Sequence, residues 1–362
     1  IGGVFVQKGG IIPTHIVGHH NHLIVAVGSS VINSGIGEPF NWTAGAGSGE
    51  HAAGDTSTGF QILPGVQSSG ALAVMQRNHT KILYGTALAG PEPFDLVSFQ
   101  SETGAIPFTI QTLDRVYYLD DRGVIDLKTA QDYGNFTAAT ITRFIQTYID
   151  QKHGRAVCSM VQRAKGQYRL FFNDGTGLWL TLDNGKLRGA MPVAFPTPML
   201  CAWSGEDNAG QELSFVGGAD GFVYQLDRGT SFDGAAIDWE LLLNWNTMRS
   251  PRQRKTIRRA SFEIQDTDYT ELRIGVRLGP EISAHVQDDP SIVPTDNELT
   301  MQWDHFAWDD FWWDAHSNAP LEVDVKGTAE RVQYALAGSS DYIDPFTVTS
   351  IITHYIPRRG LR

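Results

Sequence analysis

The sequence predicts an all-β protein: a β-propeller-like array of hairpin blades over residues 1–235, then an antiparallel β-sandwich or jelly-roll-like domain over 236–362. Three observations carry this. One type of hairpin recurs along the N-terminal part. Its recurrence has the period of a propeller blade. Past about residue 235 the hairpins stop and longer alternating strands begin.

The clearest hairpin is 115–127, Arg-Val-Tyr-Tyr-Leu-Asp-Asp-Arg-Gly followed by Val-Ile-Asp-Leu. Val, Tyr and Ile suit a pleated surface, and Asp120, Asp121 and Gly123 supply a tight turn. Similar pairs are 23–27 with 31–32, 71–75 with 81–84, 168–172 with 178–182, and 213–216 with 222–226. The turns centre near 28, 78, 121, 174 and 220, so the intervals are 50, 43, 53 and 46 residues. A blade of four strands takes roughly 40–50 residues.

In chain order, residues 4–7 read as a first strand that would complete the last blade. Residues 34–59, rich in Gly, Ser, Ala and Thr, read as an exposed insertion. Within 128–152, Phe136, Ile141, Phe144, Ile145 and Tyr148 allow a short helix that four threonines weaken. Residues 189–200, with Pro192, Pro196 and Pro198, read as a rigid extended linker. Beyond 235, strands are expected at 237–245, 257–264, 272–278, 321–325, 333–336 and 346–355, with a polar span over 280–299.

Hydrophobic residues make up 41% of the 362, enough for a sizeable core, and no apolar run is long enough to span a membrane. The start, Ile-Gly-Gly-Val-Phe-Val, lacks both an initiator Met and a signal-peptide pattern, so the expectation is a trimmed chain or one of which part is missing. Forty acidic against 28 basic residues give a net charge of −12, which disfavours general nucleic-acid binding but suits a channel wall past which DNA slides. The two cysteines, Cys158 and Cys201, have apolar neighbours and read as buried free thiols, which fits assembly in a reducing compartment. The sequons at Asn41, Asn78 and Asn135 read as chance.

Three clusters are candidates for function. Residues 249–259 hold Arg249, Arg252, Arg254, Lys255, Arg258 and Arg259, a basic strip that fits a subunit contact, a nucleic-acid contact or a solvated loop. Residues 303–314 repeat Trp-Asp every five positions; Trp303, Trp308, Trp312 and Trp313 form an aromatic strip suited to a partner surface, to a glycan, or to covering one end of a sheet. His15, His19, His20 and His22 lie close together, and His20 and His22 would share a strand face, but no carboxylate or Cys nearby completes a metal site. No nucleophile elbow, zinc-protease motif, phosphate loop or metal-spaced Cys pair occurs, so neither enzyme nor cofactor is expected. Residues 34–42 distantly resemble the repeated turn of propeller glycosidases but lack its Asp, and an acidic pair such as Asp309/Asp310 is expected by chance among 40 acids.

The hairpin 115–123, the segment 99–106 that precedes it (Phe-Gln-Ser-Glu-Thr-Gly-Ala-Ile), the linker 246–255 and the ending 344–362 together resemble the tail nozzle and packaged-DNA stabilisation proteins of short-tailed bacteriophages. The resemblance implies a structural virion protein, assembled in the host cytoplasm and resident in the tail. It implies a six-fold homo-oligomeric ring below the portal and adaptor, next to tail fibres, that extends the DNA channel and helps retain and release the genome. No catalytic residues come with it. The strips 249–259 and 303–313 would be subunit or adaptor contacts. The alternative is a carbohydrate- or receptor-binding module built on the tryptophan strip, with a propeller glycosidase the remotest reading.

Overall fold

In a computed structural model the protein is all-β, and the described residues hold one complete short helix and a few 3-10 turns beside the strands. The residues described are 10–63, 71–87, 93–101, 104–127, 140–265, 270–279, 291–295, 321–340 and 346–358. The expected strand at 4–7, the tryptophan strip and Asp309/Asp310 lie outside them. The chain divides into two compact units, Ile1–Asp227 and Arg228–Arg362, a boundary eight residues before the 235/236 set from the sequence.

Unit 1 is a succession of antiparallel meanders. The first contains β1 (His15–His19), β2 (His22–Val27), β3 (Ser30–Asn33) and β4 (Gly49–Ala52). The second contains β5 (Ser57–Leu63), β6 (Ala71–Gln76), β7 (His79–Tyr84) and β8 (Asp95–Ser101). The third has β9 (Gln111–Thr112), β10 (Val116–Asp120) and β11 (Gly123–Asp126), with Thr140 bridging to Ile125. The fourth has β12 (Ala156–Gln162), β13 (Gln167–Phe172), β14 (Thr176–Asp183) and β15 (Lys186–Ala194), and the fifth β16 (Met199–Glu206), β17 (Glu212–Gly218) and β18 (Val223–Gln225). In every meander the hairpin seen in the sequence joins the second and third strands. Its turn chemistry is local: Gly28, Gly123 and Gly175 all have positive φ.

The second strands explain why the hairpins read as continuous apolar runs. Along β6, Leu72 and Val74 pack toward the first meander, while Ala71, Ala73 and Met75 pack toward the third. Along β10, Val116 and Tyr118 face the second meander and Tyr117 and Leu119 the fourth. Phe171 of β13 faces the fifth, with Trp179, Met199 and Val216. A strand buried on both faces has no polar side to show. Consecutive sheets thus enclose one hydrophobic cluster each, from the first pair to the fourth and fifth.

Two sequence expectations are corrected here. Residues 34–59 are an exposed insertion only in part: residues 36–40 lie on the surface, with Phe40 78% exposed, but the rest of the span is tied into the sheets. The buried Asn33 amide donates to Ser34 O and Gly47 O at 2.9 Å, and Ser48 Oγ donates to Asn33 O at 2.7 Å. These bonds fold the span back so that β4 pairs with β3 and β5 opens the next sheet. Small polar residues do here what apolar ones do elsewhere. Nor is 189–200 a linker: β15 runs through Ala194 with Pro192 opposite Leu178, and β16 begins at Met199. β15 is an edge strand, where a proline needs no ladder donor. The helix α1 is Gln146–Lys152, with Ile149 buried among the third and fourth meanders.

Unit 2 has β19 (Asp238–Leu242), β20 (Lys255–Gln265), β21 (Thr270–Gly279), β22 (Ser291–Thr295), β23 (Leu321–Ala329), β24 (Arg331–Ser339) and β25 (Thr347–Pro357). They form two antiparallel sheets, β19-β24-β21-β22 and β23-β20-β25. One core joins them, with Ile257, Phe262 and Val323 from one sheet and Ile274, Val276, Tyr334 and Leu336 from the other. Phe262 meets Tyr334 edge-on at 5.7 Å, and the Tyr334 hydroxyl reaches Thr353 Oγ1 at 2.7 Å. β22 lies inside the span read as merely polar; Pro294 and the short apolar stretch gave it no clear pattern. Among the described residues no helix is long and apolar enough to cross a membrane.

Candidate functional site

The basic strip lies in unit 2, in a loop that enters β20. Met248 and Arg249 both have left-handed backbones, φ 49 and 63, which side-chain-bearing residues rarely adopt. Such a loop persists only when its surroundings determine it, and here a lysine does so. Lys255 is 1% exposed. Its ammonium donates to the carbonyls of Thr247 (2.9 Å), Ser250 (2.5 Å), Gln253 (3.0 Å) and Glu330 (3.1 Å). Burial pulls its pKa below the ordinary lysine value, against a smaller opposing pull from Glu330. Lys255 is therefore an internal clamp and does not belong to the contact surface.

The arginines divide. Arg259 pairs with Glu322 at 2.6 Å across the β20–β23 ladder. Arg258 is the extra residue of a bulge opposed by both flanking strands, so its side chain is turned to solvent. Arg249, Arg252 and Arg254 are exposed. Among the described residues no carboxylate lies within ion-pair distance of Arg249, Arg252, Arg254 or Arg258. The result is a fixed loop presenting three exposed guanidinium groups, with a fourth, Arg258, on the adjoining bulge of β20, none of them within ion-pair distance of a carboxylate among the described residues. The run of basic letters showed the cluster; nothing in it distinguished Lys255.

The histidines fall at the first hairpin. His19 and His22 face each other across β1 and β2, while His20 and Asn21 form the turn at φ 48 and 59. His20 is thus not in a strand beside His22, contrary to the sequence reading. His22 Nδ1 sits 2.6 Å from Ser34 O, and the Nε2 atoms of His19, His20 and His22 are buried with no hydrogen-bond partner among the described residues. Burial first, then the neighbouring His20 and His22, lowers the pKa of His19 to about 4. Among the described residues no three His, Cys, Asp or Glu side chains converge as metal ligands.

A feature the sequence did not reveal is a cavity of about 480 Å³ in unit 1. It is lined by residues 15–17 of β1, 58–60 of β5, 157–159 of β12 and 200–202 of β16, with Phe108, Ile110 and Gln111 entering β9. The first strands of all five meanders therefore meet at one space. Three of them carry a one-residue bulge at the same place, the second residue of the strand: Thr58, Val157 and Leu200. A bulge re-aims a side chain, and all three extra residues line the cavity. Cys158 and Cys201 each follow a bulge. Cys158 is buried, its thiol pushed up to about 12 by burial and by Cys201. Cys201 is exposed, correcting the expectation of two buried thiols, because its strand borders the open space.

Arg169 ties the fourth meander to the end of the fifth. Buried to 1% exposure, it holds Asp227 through two bonds at 2.5 and 3.1 Å, and lies 5.2 Å over the Trp179 ring. Lys165 adds a third contact at 2.6 Å. Burial would raise the Asp227 pKa, but the two cations hold it below the usual carboxylate value.

No protein-family model matches this chain, and no curated protein matches it. Among solved structures, BBS1N in complex with ARL6DN is similar with a TM-score of 0.38 and 11% identity, over 63% of this chain and 67% of that one. Raptor of Chaetomium thermophilum is similar with a TM-score of 0.40 and 12% identity, over 61% of this chain and 20% of that one. At this distance neither the fold family nor the role of those proteins transfers to this chain.

Proposed function

We propose that this chain is a non-catalytic structural protein of a short-tailed phage tail, which assembles as a ring that extends the DNA channel. On this reading unit 1 is a five-bladed propeller-like body. The meeting of five first strands at one cavity and the matched bulges support that architecture. Unit 2 is the sandwich that carries the contact loop.

The observation that carries the proposal is the clamped arginine loop. Lys255 fixes the backbone, so little order remains to be imposed when Arg249, Arg252, Arg254 and Arg258 meet a partner. A protein of net charge −12 repels its own copies in general, so a ring needs a local site of opposite charge to set the register. A second copy, or an acidic adaptor, provides carboxylates for guanidinium groups that have no carboxylate partner among the described residues. The resemblance described from the sequence supplies the phage context.

The test is the quadruple variant Arg249→Glu/Arg252→Glu/Arg254→Glu/Arg258→Glu, followed by mass photometry and thermal melting. The expected result is loss of oligomers with the melting temperature unchanged within a few degrees. Oligomers that survive the four charge reversals would remove the loop from the assembly.

A further inference from the structure

In unit 2 the sheet β19-β24-β21-β22 gives one face to the core, and between β19 and β21 its other face is open. Trp239, Ile274, Tyr334 and Leu336 point inward. By alternation Glu240 and Leu242 of β19, Ala335 and Ala337 of β24, and Arg273 and Gly275 of β21 lie on the outer face. All six are at least partly exposed, and Leu242 is 47% exposed.

The register sets these residues in two rows. Ala337 stands between Glu240 on one side and Arg273 on the other, and Ala335 stands between Leu242 and Gly275. β19 and β21 are two strand spacings apart, about 10 Å. Among the described residues neither Glu240 nor Arg273 has an ion-pair partner. Gly275 has no reason within the chain to be a glycine: its φ is not positive, and a Cβ there would meet Ala335 Cβ at 3.5 Å, an ordinary contact. A glycine inside a strand weakens it, and commonly marks a place where something outside the sheet comes close.

We propose that this face packs on the same face of a second copy of the chain, about a two-fold axis running along β24. That operation exchanges the two flanks of β24 and keeps each row in place. Glu240 of each copy then lies over Arg273 of the other, and Leu242 enters the gap left by Gly275. The alanines of the middle strand let the sheets close to about 10 Å, the usual spacing of packed sheets. The charges select this partner: a polyanion such as DNA that meets Arg273 also meets Glu240, whereas a second copy satisfies both at once. The contact is isologous, unlike the head-to-tail contacts of a ring. Three strands by a few residues make a small interface, so the pair forms at micromolar concentrations and is dissociated at the nanomolar ones used in mass photometry.

The experiment is sedimentation equilibrium over the micromolar range, in the background of the quadruple arginine variant so that the loop contacts do not enter. The expected result is a monomer–dimer equilibrium that weakens as salt rises. Glu240→Arg and Arg273→Glu each set like charges over one another and should weaken pairing about tenfold or more. An equimolar mixture of these two single variants should pair again, because every carboxylate then faces a guanidinium. Gly275→Val should abolish pairing with the melting temperature unchanged or raised, since valine suits a strand and its Cβ has room. A melting curve on each variant separates loss of pairing from loss of fold. The proposal is overturned if the background chain stays a single copy at every concentration, which would leave the face to a different partner, or if the mixture fails to pair. The ring reading survives either failure, because no residue is shared between the two surfaces.

Discussion

Lys255 shows how one residue can be misjudged from its neighbours in sequence. It stands in a run of cations, yet its ammonium occupies a cage of four carbonyls. Lys255→Met would leave those carbonyls buried and unpaired, and should destabilise unit 2 by about 2–4 kcal/mol. A denaturant melt checks this, and an unchanged midpoint would contradict the clamp. His19 makes a pH prediction. Its pKa falls from 6.5 unfolded to about 4 folded. Between those values the unfolded chain holds a proton that the folded chain does not, so stability falls as pH drops through the window. His19→Gln should flatten that part of the stability–pH curve, and an unaltered slope would show that His19 does not titrate there. Neither result was legible in the sequence, because burial sets the first of them only once the loop has turned three nearby carbonyls and Glu330 O onto one ammonium, and burial beside two other histidines sets the second.

At the scale of elements, the hairpins were the legible part. Alternation and turn residues are local properties, and 71–75, 116–119 and, apart from Arg169, 168–172 carry apolar side chains for two packing faces at once. The bulges at Thr58, Val157 and Leu200 were not legible, since a bulge is a property of a strand pair and leaves no mark in one strand's letters. The same reason hid the cavity they line. β15 was hidden by Pro192, which reads as a breaker and is accommodated at a sheet edge. That proline also blunts a nine-residue edge whose Met191 is half exposed. Pro192→Thr should leave the melting temperature nearly unchanged while promoting irregular self-association, read by light scattering against concentration. A variant as soluble as the original would show that the edge is protected by other means.

For the whole molecule, the two units have different grounds for their stability and, on the reading proposed here, different tasks. Unit 1 stacks meanders so that each central sheet is covered on both faces by its neighbours, while unit 2 closes two sheets over one core. The change from short hairpins to long strands marked this division in the sequence, although Asp227, held by Arg169 and Lys165, shows that the first unit ends at its last ion pair. The central claim is that copies of the chain form a ring through the arginine loop. Electron microscopy of the purified protein, classified for rotational symmetry over a range of concentrations and at low and moderate salt, tests it most directly. The account predicts rings with a central hole, six-fold above all, that dissolve as salt rises and are missing from the quadruple arginine variant. Particles that remain single copies at every concentration and salt would contradict it.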